Sequence, residues 1–232
     1  MAHVLVTGAA RGIGQATAEL FLSAGHRVLA LDRNWEGSTL MAHPEVQRAD
    51  FDLQRLSEIP GLIAELGTVE VLVNNAGVLY CPPHDAFPEE QKREILTVNL
   101  EAPVALIEAV VPQMKARQAG RIVNVASVAA FTGHPDLWYG ITKAGILNLT
   151  KAYAGFLGKS GILVNAVAPG PTETEMYEQL PQSRKDSVMR SVYSGRPCRP
   201  EEVARTILWL GTESPHYLSG TTVDVNNGSY PR

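Results

Sequence analysis

With 232 residues, 45% hydrophobic and 19% charged, the chain has the make-up of a globular protein able to bury a full core without staples. A net charge of −4 with no basic run argues against a nucleic-acid partner, and no apolar run approaches the roughly 20 residues of a membrane span. Cys81 and Cys198 lie in separate proline-rich loops and the histidines are scattered, so no disulfide framework and no metal site are expected; a reducing, cytoplasmic compartment fits this usage.

The first strand, His3 to Val6, starts almost at once and leaves no room for a signal peptide. It runs into Thr7-Gly8-Ala9-Ala10-Arg11-Gly12-Ile13-Gly14, and a helical pattern follows through Ala16, Leu20 and Ala24 until Gly25 stops it. A strand, a glycine-rich turn and a helix N-terminus make an anion site, because free N–H groups and the positive end of the helix face a phosphate. The spacing is Gly-x-x-x-Gly-x-Gly, which departs from the Gly-x-Gly-x-x-Gly dinucleotide fingerprint. Arg27 to Leu31 reads as the second strand, closed by Asp32. An acid about 20 residues beyond such glycines bonds the adenosine ribose hydroxyls and repels a 2′-phosphate, so Asp32 argues for NAD over NADP. Arg33 and Arg11 pull the other way, since either could meet a phosphate.

Val46 to Ala49 is a third, short strand ending at Asp50-Phe51. Gln54 to Leu66 is helical, interrupted at Pro60-Gly61. Val69 to Val73 is a buried strand running into Asn74-Asn75-Ala76-Gly77, whose small and amide-bearing residues suit either a ligand's close approach or a simple turn. Beyond the loop Val78 to Pro88, a helical pattern extends from Glu89 to Gln118. Pro103 cannot donate to the Asn99 carbonyl four residues back, which predicts a local break that leaves that carbonyl for a water.

Arg121 to Val125 is strand-like and leads to Ser127. Tyr139 and Lys143 are four residues apart on the next helix, so they share a face. A cation beside a phenol predicts a Tyr pKa below its ordinary value of about 10 and a usable proton donor or acceptor. The helix continues to about Gly158. Gly161 to Val167 is the next strand, followed by Pro169-Gly170-Pro171-Thr172-Glu173-Thr174. From about residue 172 to 196 the chain is polar with scattered large apolar residues, which predicts a mobile helical lid. Pro200 to Leu210 is a helix with an acidic start and Gly220 to Val225 the last strand. Strands alternating with helices throughout predict one α/β domain over residues 1–232 with a parallel sheet.

Taken together, Thr7-Gly8-x-x-x-Gly12-Ile13-Gly14, Asn74-Asn75-Ala76-Gly77, Asn99, Ser127, Tyr139-x-x-x-Lys143 and Pro169-Gly170 resemble the short-chain dehydrogenase/reductase family from end to end, in the family's order. The resemblance implies a Rossmann-type doubly wound sheet with helices on both faces, a nicotinamide cofactor and a homotetramer or homodimer. It implies Tyr139 as acid/base, Ser127 as the clamp on the substrate oxygen, Lys143 as ligand of the nicotinamide ribose and Asn99 as holder of a proton-relaying water. The cofactor contacts it implies are Gly8, Arg11, Gly12, Ile13, Gly14, Asp32, Asp50, Phe51, Asn75, Ala76, Gly77, Tyr139, Lys143, Pro169, Gly170, Thr172 and Thr174. The gap from Ser127 to Tyr139 is one residue shorter than the common family spacing, which shortens the loop Phe131 to Leu137.

The expected activity is NAD-dependent hydride transfer on a secondary alcohol or ketone. Leu79, Tyr80, Phe131, His134, Trp138, Met176, Tyr177 and Tyr193 are the candidate lining, suited to a small ring or a medium apolar alcohol. Local stretches (Val125-Ala126-Ser127, Thr172 to Met176, Arg199 to Glu202) resemble dihydrodiol dehydrogenases, so a cyclic diol is among the candidates. A 3-oxoacyl-[acyl-carrier-protein] reductase is the alternative ketoreductase, and a dinucleotide-binding regulator without chemistry is the alternative of another class.

Overall fold

The apolar runs bounded by turns become strands, and most stretches between strands supply an α-helix; the one between Asp32 and Val46 holds only a 3-10 turn. The computed structural model describes residues 1–232, the side chain of Ala42 excepted. The elements are β1 (His3–Thr7), α1 (Gly12–Ser23), β2 (Arg27–Asp32), β3 (Val46–Asp50), α2 (Ile59–Leu66), β4 (Val71–Asn74), α3 (Glu89–Leu96), α4 (Ala102–Arg117), β5 (Gly120–Val125), α5 (Leu137–Leu157), β6 (Ile162–Pro169), α6 (Glu175–Glu178), α7 (Gln182–Met189), α8 (Pro200–Thr212) and β7 (Thr222–Val225). All seven strands are parallel, in the order β3-β2-β1-β4-β5-β6-β7.

Side chains alternate across this sheet as the period of two requires. Leu5, Leu29, Leu72 and Ile122 face one core with Leu106, Ile107 and Ile146 of α4 and α5. Val4, Val6, Val28 and Val73 face the other with Phe21 of α1 and Ile207 of α8. Helices therefore cover both faces of one doubly wound domain, and the central strands read as unbroken apolar runs for that reason.

Three segments differ from the sequence pattern, each for a local reason. The helix expected from Gln54 begins as a 3-10 turn, Leu56–Glu58, and becomes α-helical at Ile59. Pro60 thus lies in the first turn, where its missing N–H costs nothing. The long helix expected from Glu89 is divided by a π-helical turn, Thr97–Glu101, in which the Ala102 N–H donates to the Thr97 carbonyl. Pro103 sits just beyond it in the first turn of α4. Contrary to the sequence reading, Glu89–Arg117 is long and apolar enough to cross a membrane, its most apolar 18 residues having a mean hydropathy of 1.6, but half of that window is buried here, as in a core helix.

The strand order turns at β1: the chain moves outward to β2 and β3, then returns to β4 on β1's other side. The carboxyl ends of β1 and β4 therefore open a crevice where doubly wound sheets hold ligands. One buried hydroxyl sets its shape. Thr7 Oγ1 accepts the N–H groups of Asn75 (3.0 Å) and Ala76 (3.1 Å) and donates to the Val73 carbonyl (3.3 Å). Thr7→Val keeps the shape but strips two N–H groups of their partner. It should lower stability by about 2–4 kcal/mol in urea unfolding and weaken dinucleotide binding in titration calorimetry.

Candidate active site

The turn after β1 is built for close approach. Gly8 and Gly12 adopt positive φ (64° and 55°), and a Cβ on Gly14 would overlap the Gly8 carbonyl. Asn75 Nδ2 donates to the carbonyls of Thr7 (2.9 Å) and Gly8 (3.2 Å), which ties this turn to the one after β4. Arg11 is the N-cap of α1 and contributes no side-chain cap, nor does the first turn carry an acid. The orphan N–H groups of the turn that includes Ile13 are thus left for an anion, and the cradle fits a dinucleotide's diphosphate.

The flanking strands end beside it. Asp32 Oδ2 accepts the Ala10 N–H (3.0 Å), and its Oδ1 accepts those of Arg33 (2.8 Å) and Asn34 (3.1 Å). Asp50 is largely exposed and lies 3.5 Å from Arg48, whereas Phe51 is buried, with the Arg55 guanidinium 4.5 Å above its ring. On the far side, Pro169 ends β6 and the Gly170 carbonyl accepts from Thr172 Oγ1 (3.0 Å). Thr174 caps α6, and its methyl would lie 3.0 Å from a Cβ on Gly12. Arg11 reaches Glu175 (2.6 Å) and the Asn34 carbonyl (3.3 Å), so the start of the expected lid leans on the cradle. A cavity of about 550 Å³ opens beside Arg11, Gly12 and Thr174, with Glu19, Glu36 and Glu173 in its wall. That acidic outer wall does not suit phosphate, whereas the free N–H groups of the turn after β1 do.

Asn99, Ser127, Tyr139 and Lys143 come together in the next corner of the sheet. Ser127 follows β5 and caps a 3-10 turn, Val128–Ala130, by accepting the Ala129 N–H (3.1 Å). That leaves its hydroxyl proton free for another oxygen. Tyr139 sits in the first turn of α5, and Lys143, 4% exposed, follows one turn later with its Nζ 5.6 Å from the Tyr139 ring centre. Lys143 Nζ donates to the Val125 carbonyl (2.8 Å). A methyl placed on Gly77 would lie 3.4 Å from Asn99 Oδ1 and 3.5 Å from Lys143 Nζ, so three motifs meet at one point. The Asn99 side chain exchanges two hydrogen bonds with the Val78 backbone (2.8 and 3.0 Å) and donates to Thr142 Oγ1 (3.3 Å).

The electrostatics run opposite to the sequence expectation. Burial pushes the Tyr139 phenol up to about 12, helped by Asp136 and only partly opposed by the Ser127 hydroxyl. Burial pushes Lys143 down to about 8. Desolvation penalises whichever form is charged, and here it outweighs the cation one turn away, whose ammonium is turned to the Val125 carbonyl.

Of the expected lining, His134 packs against the Tyr139 ring (5.2 Å between centres) and burial pushes its imidazole pKa down. Phe131 stacks on Tyr230 at 5.5 Å. Trp138 lies under the Lys92 ammonium (5.1 Å) and Tyr177 under that of Lys185 (5.3 Å). Tyr193 is 76% exposed, and its ring occupies the space above Gly228.

The family-model match agrees with this geometry: the short chain dehydrogenase family matches residues 2–185. The chain belongs to the short-chain dehydrogenase/reductase family. It is 35% identical to a 3-oxoacyl-[acyl-carrier-protein] reductase of Thermotoga maritima, over 97% of this chain and 96% of that one. Among solved structures it resembles a protein of Beutenbergia cavernae described as an NAD(P)-dependent gluconate 5-dehydrogenase, with NADP at low occupancy (TM-score 0.90, 30% identity, 98% and 96% covered). It is equally close in shape to an Agrobacterium tumefaciens protein described as a 2-deoxy-d-gluconate 3-dehydrogenase with bound NADP (TM-score 0.90, 28% identity, 100% and 97% covered). This short-chain dehydrogenase/reductase is an oxidoreductase, and its family binds a nicotinamide dinucleotide.

Sequence reasoning passed over one residue that holds the corner together. Asp136 is wholly buried; its Oδ1 accepts the Tyr139 N–H (2.9 Å), and its Oδ2 accepts those of Tyr80 (3.0 Å) and Cys81 (3.3 Å). An Asp three residues before a helical tyrosine is the N-cap signal that could have found it. Asp136→Ala should cost about 2–4 kcal/mol in denaturant unfolding. The same variant should lower kcat/KM more than dinucleotide affinity, because the loop over the substrate side is released.

Proposed function

We propose that the chain is an NAD-dependent oxidoreductase that moves a hydride between nicotinamide and a secondary alcohol or ketone of small cyclic or medium apolar type. The observation that carries this reading is the convergence of Ser127, Tyr139 and Lys143 beside the glycine cradle. When bound, the dinucleotide supplies the hydride acceptor or donor. Tyr139 gives the proton to the developing alkoxide in reduction and takes it from the hydroxyl in oxidation. Ser127 donates to the substrate oxygen, where charge develops. Lys143 binds the nicotinamide ribose, and the Asn99 carbonyl, within the π turn, holds a water that passes protons on towards Lys143.

NAD is favoured over NADP by the Asp32 carboxylate, and both neighbouring guanidiniums are already paired, Arg33 with Glu94 and Arg11 with Glu175. Phe156, Leu137 and Ile141, exposed on α5, support association into a homotetramer or homodimer. The residues from about 172 to 196 serve as the substrate lid. The Thermotoga maritima relative favours a second reading, a ketoreductase acting on 3-oxoacyl thioesters. Assays at 340 nm of cyclic diols, secondary alcohols and an acetoacetyl thioester, each with NAD and NADP, separate the two. A tenfold preference for NADP would overturn the Asp32 argument. No turnover on any substrate, with NAD still bound, would point to a non-catalytic regulator.

Tyr139→Phe should reduce turnover by about 10²–10⁴ with NAD affinity retained; activity within tenfold of the parent would remove Tyr139 from its role. The pH profiles should also differ by direction. Below a phenol pKa of about 12 the phenolate fraction grows about tenfold per pH unit, whereas the phenol is already the dominant form. Oxidation should therefore accelerate from about pH 7 to pH 9 while proton donation in reduction gains nothing. A flat oxidation profile would contradict the phenolate's part.

A further inference from the structure

We propose that Glu94 selects the cofactor by holding Arg33 away from the ribose 2′ position, so that the cleft takes a dinucleotide without a 2′-phosphate. This rests on the NAD reading above and names the residue that enforces it. Arg33 directly follows Asp32 at the carboxyl end of β2, where a cation would meet a 2′-phosphate. Its Nη1 instead lies 2.8 Å from Glu94 Oε1 and 3.6 Å from Asp52 Oδ2. Glu94, on α3, is 61 residues away in the chain, and its other oxygen accepts the Tyr80 hydroxyl.

This pair differs from the chain's other ion pairs near the adenosine end. Arg48 with Asp50 and Arg55 with Glu58 are exposed on both sides, whereas the Glu94 side chain is only 14% exposed. Drawing Arg33 off would leave a largely buried carboxylate with a neutral phenol as its remaining partner, which is costly. A 2′-phosphate would also face the carboxylates of Asp32, Asp52 and Glu94 with one guanidinium among them. The other nearby cation, Arg11, is held by Glu175 and the Asn34 carbonyl.

The test uses the full chain and two adenosine fragments, 5′-AMP and 2′,5′-ADP, in titration calorimetry, with NAD and NADP binding measured alongside. The parent should bind 2′,5′-ADP no tighter than 5′-AMP. Glu94→Gln keeps an acceptor for Tyr80 and removes the shorter of the two carboxylate contacts of Arg33; it should tighten 2′,5′-ADP by about tenfold and leave 5′-AMP within about twofold. Adding Arg33→Ala should abolish the gain. Arg33→Ala alone should leave 2′,5′-ADP binding as in the parent, which keeps the test decisive if the Glu94 variant does not fold. A parent that prefers 2′,5′-ADP overturns the NAD reading and this proposal together. A parent that prefers 5′-AMP with no gain in Glu94→Gln overturns the role of Glu94 alone. So does a gain that survives Arg33→Ala, or a tenfold loss in Arg33→Ala alone.

Discussion

A buried carboxylate accepting three backbone N–H groups holds the two halves of the active corner in register. Asp136 is inaccessible to solvent, and an ion in that position is tolerated only when its lone pairs are met. The Tyr139 N–H meets one oxygen from α5, and the Tyr80 and Cys81 N–H groups meet the other from the loop after β4. The first turn of the tyrosine helix and the loop that follows Asn74-Asn75-Ala76-Gly77 are thereby fixed to one side chain. Asn99 does the equivalent one step deeper, joining Val78 to the π turn and to Thr142 of α5. These two clamps, with Thr7 and Asn75 below them, tie the turns after β1 and β4 to the start of α5.

The clamp has an electrostatic consequence. A carboxylate near Tyr139 opposes the phenolate, and so does burial, which is the larger effect. The resting site is therefore a strong holder of its proton, suited to donation. Proton abstraction requires the charge to be compensated, and within the chain the available source is Lys143, which bonds the Val125 carbonyl. With its own pKa near 8, Lys143 is still mostly cationic at neutral pH. The spacing of four residues thus guarantees a shared helix face, but the direction of the net shift is decided by solvent exclusion, which spacing does not encode.

What could be read from the chain divides along the same line. The strands were legible because parallel strands buried on both faces are unbroken apolar runs, as in β2, where Val28, Leu29, Ala30 and Leu31 are all buried. The glycine turn, Asp32, and the Ser127, Tyr139 and Lys143 set were legible because each motif is local and sits at the end of such a run. The π turn was visible only as a disturbance at Pro103, since its hydrogen bonds depend on how α3 and α4 pack. Glu94 pairs with Arg33, far away in sequence, and of Asp136's contacts only its cap on Tyr139 is local, the others reaching back to Tyr80 and Cys81.

The wall proposed for the substrate is harder still to read, because its residues are held by contacts between distant loops. Phe131 leaves the loop after Ser127 and stacks on Tyr230, while the Arg232 guanidinium covers the same ring at 4.2 Å and is held by Asp224 (2.8 Å). The shortened loop before α5 is tied down by His134 Nδ1 accepting the Asp136 N–H (3.1 Å) and by Asp136 itself. A ring stacked on a segment about a hundred residues away leaves no periodic trace in either stretch. Chemistry in this fold is carried by motifs with fixed spacing on rigid elements, whereas substrate choice rests on loop-to-loop packing that varies independently of them. The same α/β frame can therefore keep one proton-transfer set while its substrate wall is rebuilt, which is why sequence motifs identify the reaction class here before they identify the substrate.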